Sequence, residues 1–231
     1  MEQSIEPLSK HKRPEFIKTL NEKYRSLSPK KRIEEVYTDF KSDEIMLTSS
    51  FAATSAFLLK LFSEVNPSQK VYFIDTGYHF NETLVYKNYL TALYGLNVVD
   101  VRAVKWKHDF TLEDKTWTKD ANMCCSINKV EPLENLKKEY KIWVSGLMAW
   151  QSDHRESLDI FEDRNGIIKF YPLLDVPKEE RDGYITEHHL PFHPLISQGY
   201  HSIGCKHCTL PGKDRNGRWN NNPKTECGLH L

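Results

Sequence analysis

Short apolar runs alternate along the chain with stretches of helical periodicity. Ser28-Pro29 reads as a helix N-cap with proline at the first helical position. Ile33, Val36, Tyr37 and Phe40 then recur at helical spacing. The run Ile45-Met46-Leu47 ends in a small polar turn, Thr48-Ser49-Ser50. A helix is predicted through Ala56, Leu58, Leu59 and Phe62, broken at Asn66-Pro67. The unit then repeats: a strand over 71–74, the turn Asp75-Thr76-Gly77, a helix through Leu84, Tyr86 and Leu90, and a strand over 98–101. A later strand, Ile142–Val144, stops at Ser145-Gly146. Apolar strands alternating with helices predict an α/β fold, a single-domain twisted and mostly parallel sheet with helices on both faces. Ligands bind at the carboxyl ends of such strands, so the turns at 48–55, 75–80 and 145–155 are expected to line one crevice. The last third carries Pro191, Pro194, Pro211 and Pro223 and reads as a loop-rich segment wrapping back over it.

One core of this size suits a chain of 231 residues. Lys+Arg and Asp+Glu are both 32, for a net charge of +0. No bulk electrostatic attraction to nucleic acid or an anionic membrane follows, and any anion must be held by a local group of cations. No apolar stretch is long enough to cross a bilayer. The polar N-terminal residues lack the apolar centre of a signal peptide. A cytoplasmic, reducing location is therefore expected, where cysteines more often bind metals or react than form disulfides.

The five cysteines fall in three places: the pair Cys124-Cys125, the C-x-x-C pair Cys205 and Cys208, and Cys227 in the tail. Four thiolates in two pairs are the donor set of an iron–sulfur cluster or a four-thiolate metal site. Zinc and a redox-active disulfide are the alternatives, although zinc favours C-x-x-C at both ends. Cys227 is either a free thiol near a terminus or a nucleophile; Gly228 beside it gives backbone freedom. Ser49, Ser50 and Ser55 sit in a strand-to-helix turn whose hydroxyls and N–H groups can cradle a phosphate or ribose. Lys129, Arg155, Arg215 and Arg218 are candidate anion ligands, the arginines offering bidentate forks. His188, His189, His193 and His201 read as loop residues rather than ligands.

Taken in order, seven elements resemble the assimilatory sulfonucleotide reductases, from about residue 40 to the end. They are Ser49-Ser50-Phe51-Ala52-Ala53-Thr54-Ser55, the run from Phe73 to Thr83, Cys124-Cys125 with Lys129, Gln151-Ser152 with Arg155, the run from Gly199 to Cys208, Arg215-Asn216-Gly217-Arg218-Trp219, and Glu226-Cys227-Gly228-Leu229-His230. The resemblance implies an adenine nucleotide α-hydrolase-like fold. It also implies thioredoxin-dependent reduction of adenosine 5′-phosphosulfate (APS) to sulfite and AMP, in sulfate assimilation and cysteine biosynthesis. By the same resemblance Cys227 is the nucleophile, passing through an S-sulfocysteine, and Cys124, Cys125, Cys205 and Cys208 hold a [4Fe–4S] cluster. The substrate residues it implies are Ser49, Ser50, Ser55, Ile74, Asp75, Thr76, Gly77, Lys129, Arg155, Arg215, Arg218 and His230. Main-chain groups at Ile74 would read adenine. The implied reductant is thioredoxin or a glutaredoxin-like protein. The chain is divided accordingly into N-terminal helices (1–40), a nucleotide- and cluster-binding core (41–210) and a flexible catalytic tail (211–231). Assembly into a homo-oligomer is kept as an expectation.

The sequence departs from the family pattern in two places. Ala52-Ala53 stands where glycine is common, and Leu147-Met148-Ala149-Trp150 stands where two basic residues and an acid are usual before Gln-Ser. The second keeps open the 3′-phosphorylated substrate (PAPS), which needs further cations. Two other classes compete. An ATP-dependent tRNA thiolation enzyme on the same fold would want a glycine-rich S-G-G-x-D-S loop and a basic surface. A non-enzymatic metal-binding module would explain four cysteines but not the tail or the ordered loop motifs.

Overall fold

The computed structural model describes residues 12–164, 166–213, 215–219, 226 and 228–229. Two helices open it, α1 (Arg13–Tyr24) and α2 (Pro29–Asp39), the second starting at Pro29 as the sequence predicts. Strand β1 (Ile45–Thr48), helix α3 (Ser55–Val65), strand β2 (Lys70–Ile74), helix α4 (Asn81–Tyr94) and strand β3 (Asn97–Val101) follow. Short helices α5 (Lys105–Glu113), α6 (Thr116–Lys119) and α7 (Ala121–Cys125) lead through a π-helical turn, Ser126–Val130, into α8 (Glu131–Lys137). After β4 (Ile142–Val144) come α9 (Asp153–Glu156), the hairpin β5 (Phe161–Arg164) and β6 (Ile167–Phe170), and α10 (Lys178–Glu187).

The six strands form one sheet in the order β3-β2-β1-β4-β6-β5. Every pairing is parallel except β5 with β6. The inner strands are apolar on both faces because helices cover both. Ile45, Leu47, Val71, Phe73, Ile142 and Val144 pack with α2, α3 and α4, whereas Met46, Tyr72 and Trp143 pack with Leu133 of α8. Edge strand β5 is satisfied from outside the sheet. The buried Asn21 of α1 donates from Nδ2 to the Phe161 carbonyl (3.0 Å) and accepts from the Phe161 N–H (2.8 Å), supplying the bonds a neighbouring strand would make.

The strand order runs one way from β1 through β2 and the other way from β4. Such a reversal opens a crevice at the carboxyl ends of the two strands on either side of it. The loops after β1 and β4 face that crevice.

The α/β class, the sheet and its helical cover match the sequence reading. The β5–β6 hairpin is an addition within the segment read as loop-rich.

Candidate functional site

A cavity of about 530 Å³ occupies the crevice, well within the range of small-molecule sites. Its floor is the loop after β1. Thr48 is fixed by Trp143, whose Nε1 donates to Thr48 Oγ1 at 2.8 Å. Ser49 and Ser50 follow, and Phe51 then turns through φ 48° while fully buried against Phe73. A positive φ is costly for a bulky residue and persists only where its surroundings enforce it. Ser49 Oγ helps by accepting from the Phe51 N–H (3.2 Å). The sharp turn delivers Ser55 as the first residue of α3. The Ser55 N–H is taken by the Ala52 carbonyl, but the N-cap, Thr54, makes no side-chain capping bond, which leaves the Ala56 and Phe57 N–H groups of the first turn to an anion. Ser49, Ser50 and Ser55 all line the cavity.

Four predicted cations, Lys129, Arg155, Arg215 and Arg218, line it as well. The buried Arg155 donates from Nε and Nη2 to the two Glu226 carboxylate oxygens (2.8 and 3.1 Å), and from Nη1 to Gln151. Arg215 Nη2 reaches the same carboxylate at 3.0 Å, and Ser152 Oγ at 2.9 Å. Burial alone would push the Glu226 carboxyl up; Arg155, Arg215 and Ser152 outweigh it and hold it below the ordinary carboxylate range. Arg218 lies over the Trp219 ring, 4.4 Å from its centroid. It also approaches Gly204 so closely that a Cβ there would stand 2.3 Å from Nη2.

Cys227 and His230 lie outside the described residues, but their neighbours are anchored. Glu226 is clasped as above, and the Leu229 carbonyl accepts from Lys169 Nζ at 2.8 Å. Lys169 is itself buried in β6. Leu229 lines the cavity.

The turn after β2 divides the other predicted residues. Ile74 lines the cavity, and its carbonyl lies 3.0 Å from His79 Nε2. The Thr76 N–H also points at that nitrogen, at 3.4 Å. One nitrogen cannot donate and accept at once, and the shorter contact identifies Nε2 as the donor to Ile74. Burial lowers His79 to about 4, keeping the ring neutral. Asp75, Thr76 and Gly77 do not line the cavity. Asp75 accepts from the Gly77 N–H and from Arg102, which makes it a turn-former. Gly77 has φ +72° and His108 fills the space a side chain would need. Thr76 points the other way, its Oγ1 lying 3.4 Å from Cys205 Sγ.

That direction leads to a second, narrow cavity lined by Cys124, Cys125, Cys205 and Cys208 together with Tyr78, Trp117, Asn128, Lys129 and Trp219. The fold thus brings both cysteine pairs together, and none of the four is in a disulfide. Asp120 caps α7 by accepting from the Asn122 and Met123 N–H groups, fixing the first pair. Cys205 is fully buried, which by itself raises its pKa; Lys129, Thr76 and Arg218 overcome this and the net shift is downward. Cys124 is pushed up to about 12 by burial and by the neighbouring thiols. Among the described residues no group of three or more His, Cys, Asp or Glu converges on a single-ion position. Four thiols lining one narrow void are the donor set of a cluster whose irons each take one thiolate. Lys129 and Trp219 line both cavities and form the wall between them.

Several of these contributors escaped the sequence reading. Glu226 was visible as an acid beside the tail cysteine. Lys169 was visible as a lysine inside the apolar run Ile167-Ile168-Lys169-Phe170. His193, read as a loop residue, is 1 % exposed; its Nδ1 accepts from the Leu195 N–H, which leaves Nε2–H to donate to Thr83 Oγ1 at 3.0 Å.

The likenesses to known proteins follow this geometry. An adenosine 5′-phosphosulfate reductase of Bacillus mycoides (strain KBAB4) is 40 % identical over 209 residues, covering 84 % of this chain and 87 % of that protein. Another, from Mesorhizobium japonicum, is 38 % identical over 216 residues, covering 90 % and 84 %. A phosphoadenylyl-sulfate reductase from Candida auris, solved as a phosphate complex, superposes with a TM-score of 0.74 at 27 % identity over 88 % of this chain and 98 % of that one. An FMN adenylyltransferase of Candida glabrata shares the fold alone, with a TM-score of 0.59 at 17 % identity over 86 % and 74 %. Residues 44–211 match the phosphoadenosine phosphosulfate reductase domain, and the chain belongs to that family.

Proposed function

We propose that the chain is an oxidoreductase that reduces adenosine 5′-phosphosulfate to sulfite and AMP, using a thioredoxin-type dithiol as reductant. The observation that carries this is the anchored tail. Glu226 and Leu229, on either side of Cys227, are both held at a nucleotide-sized cavity whose lining includes Lys129, Arg155, Arg215 and Arg218.

In this reading the Ser49–Ser55 turn and the α3 N-terminus seat the nucleotide, and Ile74 and Gly146 contact the base. Lys129, Arg155, Arg215 and Arg218 surround the phosphosulfate and offset charge that grows on the departing phosphate. The Cys227 thiolate attacks the sulfate sulfur, the S–O bond to phosphate breaks, and AMP leaves. Cys227 then carries a sulfonate on its Sγ. A thiolate of the dithiol attacks that Sγ, expelling sulfite and forming a mixed disulfide, which the second thiol resolves. The dithiol supplies the two electrons and sulfur falls from the sulfate to the sulfite level. Cys124, Cys125, Cys205 and Cys208 would hold a [4Fe–4S] cluster, which when bound contributes electrostatic tuning of the adjoining wall. Lys129 spans that wall and orients toward the phosphosulfate.

Anaerobic protein mixed with APS and no reductant should gain one sulfonate, mapped by peptide mass spectrometry to Cys227. Cys227→Ser should gain none and release no sulfite while still binding AMP. Sulfite release by that variant would end the mechanism. Iron and acid-labile sulfide at four each per chain would support the cluster, and zinc in their place would remove it.

A further inference from the structure

Through Leu229 the tail is joined to a lysine that does not face the cavity. Lys169 stands in β6, in register with Trp143 of β4 and Glu162 of β5. It is only 4 % exposed, and the rest of β6 is apolar. A buried ammonium group is costly unless its donors find acceptors. One of them reaches the Leu229 carbonyl at 2.8 Å. The Nζ also stands 4.7 Å from the centroid of the Trp143 ring. Trp143 lines the cavity and is fixed by its bond to Thr48, so the ammonium is braced against the nucleotide floor through an aromatic ring. The Leu229 side chain packs beside it, with Met46, Tyr72 and Trp143.

The two fastenings of the tail differ in what a ligand does to them. Glu226 takes the Nε–Nη2 edge of Arg155 and the Nη2 of Arg215, and both arginines line the cavity. Such an edge is the bidentate face with which an arginine grips a phosphate. A nucleotide phosphate that engages it takes the place of the Glu226 carboxylate. Lys169 does not line the cavity, so the same phosphate does not compete for its bond to Leu229. Chain connectivity sets the consequence. Cys227 is two residues from Leu229, which keeps their Cα atoms within about 7 Å of each other wherever Glu226 goes.

We propose that Lys169 is a positioning residue for the Cys227 thiol. Its bond to the Leu229 carbonyl retains the tail at the cavity when the substrate's phosphate displaces Glu226 from the arginines. This rests on the reading of Cys227 as the nucleophile given above. Lys169 touches neither the substrate nor the reacting sulfur and acts through Leu229. Its loss therefore slows sulfur transfer without weakening nucleotide binding.

The test is single-turnover sulfonation of the full anaerobic chain by APS with no reductant, read by intact mass, beside calorimetric titration with AMP. Lys169→Met keeps an apolar side chain of similar length against Trp143 and removes the ammonium. Its sulfonation rate at saturating APS should fall about tenfold, the loss of one charge-assisted bond, while AMP affinity and the half-saturating APS concentration stay within about twofold. Lys169→Arg should recover part of the rate. With AMP bound, hydrogen exchange of the C-terminal peptide should be slower in the unaltered chain than in Lys169→Met. A lysine that served only to pack β6 would not move these readouts selectively. Should Lys169→Met fail to fold, Leu229→Ala, which alters only the tail, carries the test and should show the same loss of rate at unchanged AMP affinity. An unchanged sulfonation rate, or a loss of rate matched by an equal loss of AMP affinity, would overturn the positioning role while leaving the sulfonucleotide reading in place. Absence of a sulfonate on Cys227 in the unaltered chain would overturn both.

Discussion

Replacing Glu226 by Gln keeps the volume of the side chain and removes its charge. In the folded chain this carboxylate is completely buried and accepts three bonds from arginines, at 2.8 and 3.1 Å from Arg155 and 3.0 Å from Arg215. A charge-assisted hydrogen bond contributes roughly 1.5–3 kcal/mol and a neutral one roughly 0.5–1.5, so each contact loses about 1 kcal/mol. Three together give about 3 kcal/mol, a shift of roughly a hundredfold in the docking equilibrium of the tail. Hydrogen exchange of the C-terminal peptide, read by mass spectrometry, should accelerate by about two orders of magnitude in Glu226→Gln. Peptides from β1 and β4 should be unaffected. The pH dependence supplies a second reading. Because the folded carboxyl is held below its ordinary value, its contribution is complete above that ordinary value and is lost as pH falls through the depressed one. Tail protection in the unaltered chain, corrected for intrinsic exchange, should therefore fall at acid pH, and the variant should show no such step. Equal exchange in the two proteins, or the same acid step in both, would show that the arginines do not hold the tail through this carboxylate.

Two further outcomes can be checked with simple variants. His193 is buried neutral with a pKa of about 4, lowered by burial, so the unfolded chain takes up its proton first. Stability is complete above pH ~6.5 and falls between there and about 4, by as much as about 3 kcal/mol, and urea midpoints should show a shallower decline in His193→Gln. Identical pH slopes in the two proteins would contradict this. Gly204→Ala puts a methyl group 2.3 Å from the present position of Arg218 Nη2, at the mobile end of a side chain. The fold should persist with an unchanged urea midpoint, while AMP affinity drops roughly tenfold through loss of one charge-assisted contact.

The inner strands were legible because a strand covered on both faces has to be apolar throughout. Ile45-Met46-Leu47 and Ile142-Trp143-Val144 say so without any knowledge of their neighbours. Strand β5 was not legible, since Phe161-Glu162-Asp163-Arg164 sits at an edge and three of its four residues are charged. Its signal lay in the next residues, where Asn165-Gly166 is a hairpin-turn dipeptide followed by an apolar run. Within the site, residues with chemical side chains in compact motifs were picked out. Partnerships across the chain were not: Arg155 and Glu226 are 71 positions apart. Asp75, Thr76 and Gly77 follow a strand end, as a nucleotide loop does. Yet the left-handed turn at Gly77 aims Thr76 at Cys205, and only the backbone geometry reveals that.

The π-helical turn at Ser126–Val130 makes chain length itself a structural variable. An α-helical continuation from the cysteine pair would set Lys129 directly above Cys125, one turn on, facing the thiols alone. The wider turn holds one more residue and rotates Lys129 to where it meets both cavities. Removing Ser126 or Ile127 would let the segment rewind as a continuous α-helix, with Lys129 kept but turned away from the wall between the cavities. Here a deletion does what no substitution can, and the number of residues between Cys125 and Glu131 is as much a part of the site as their identity.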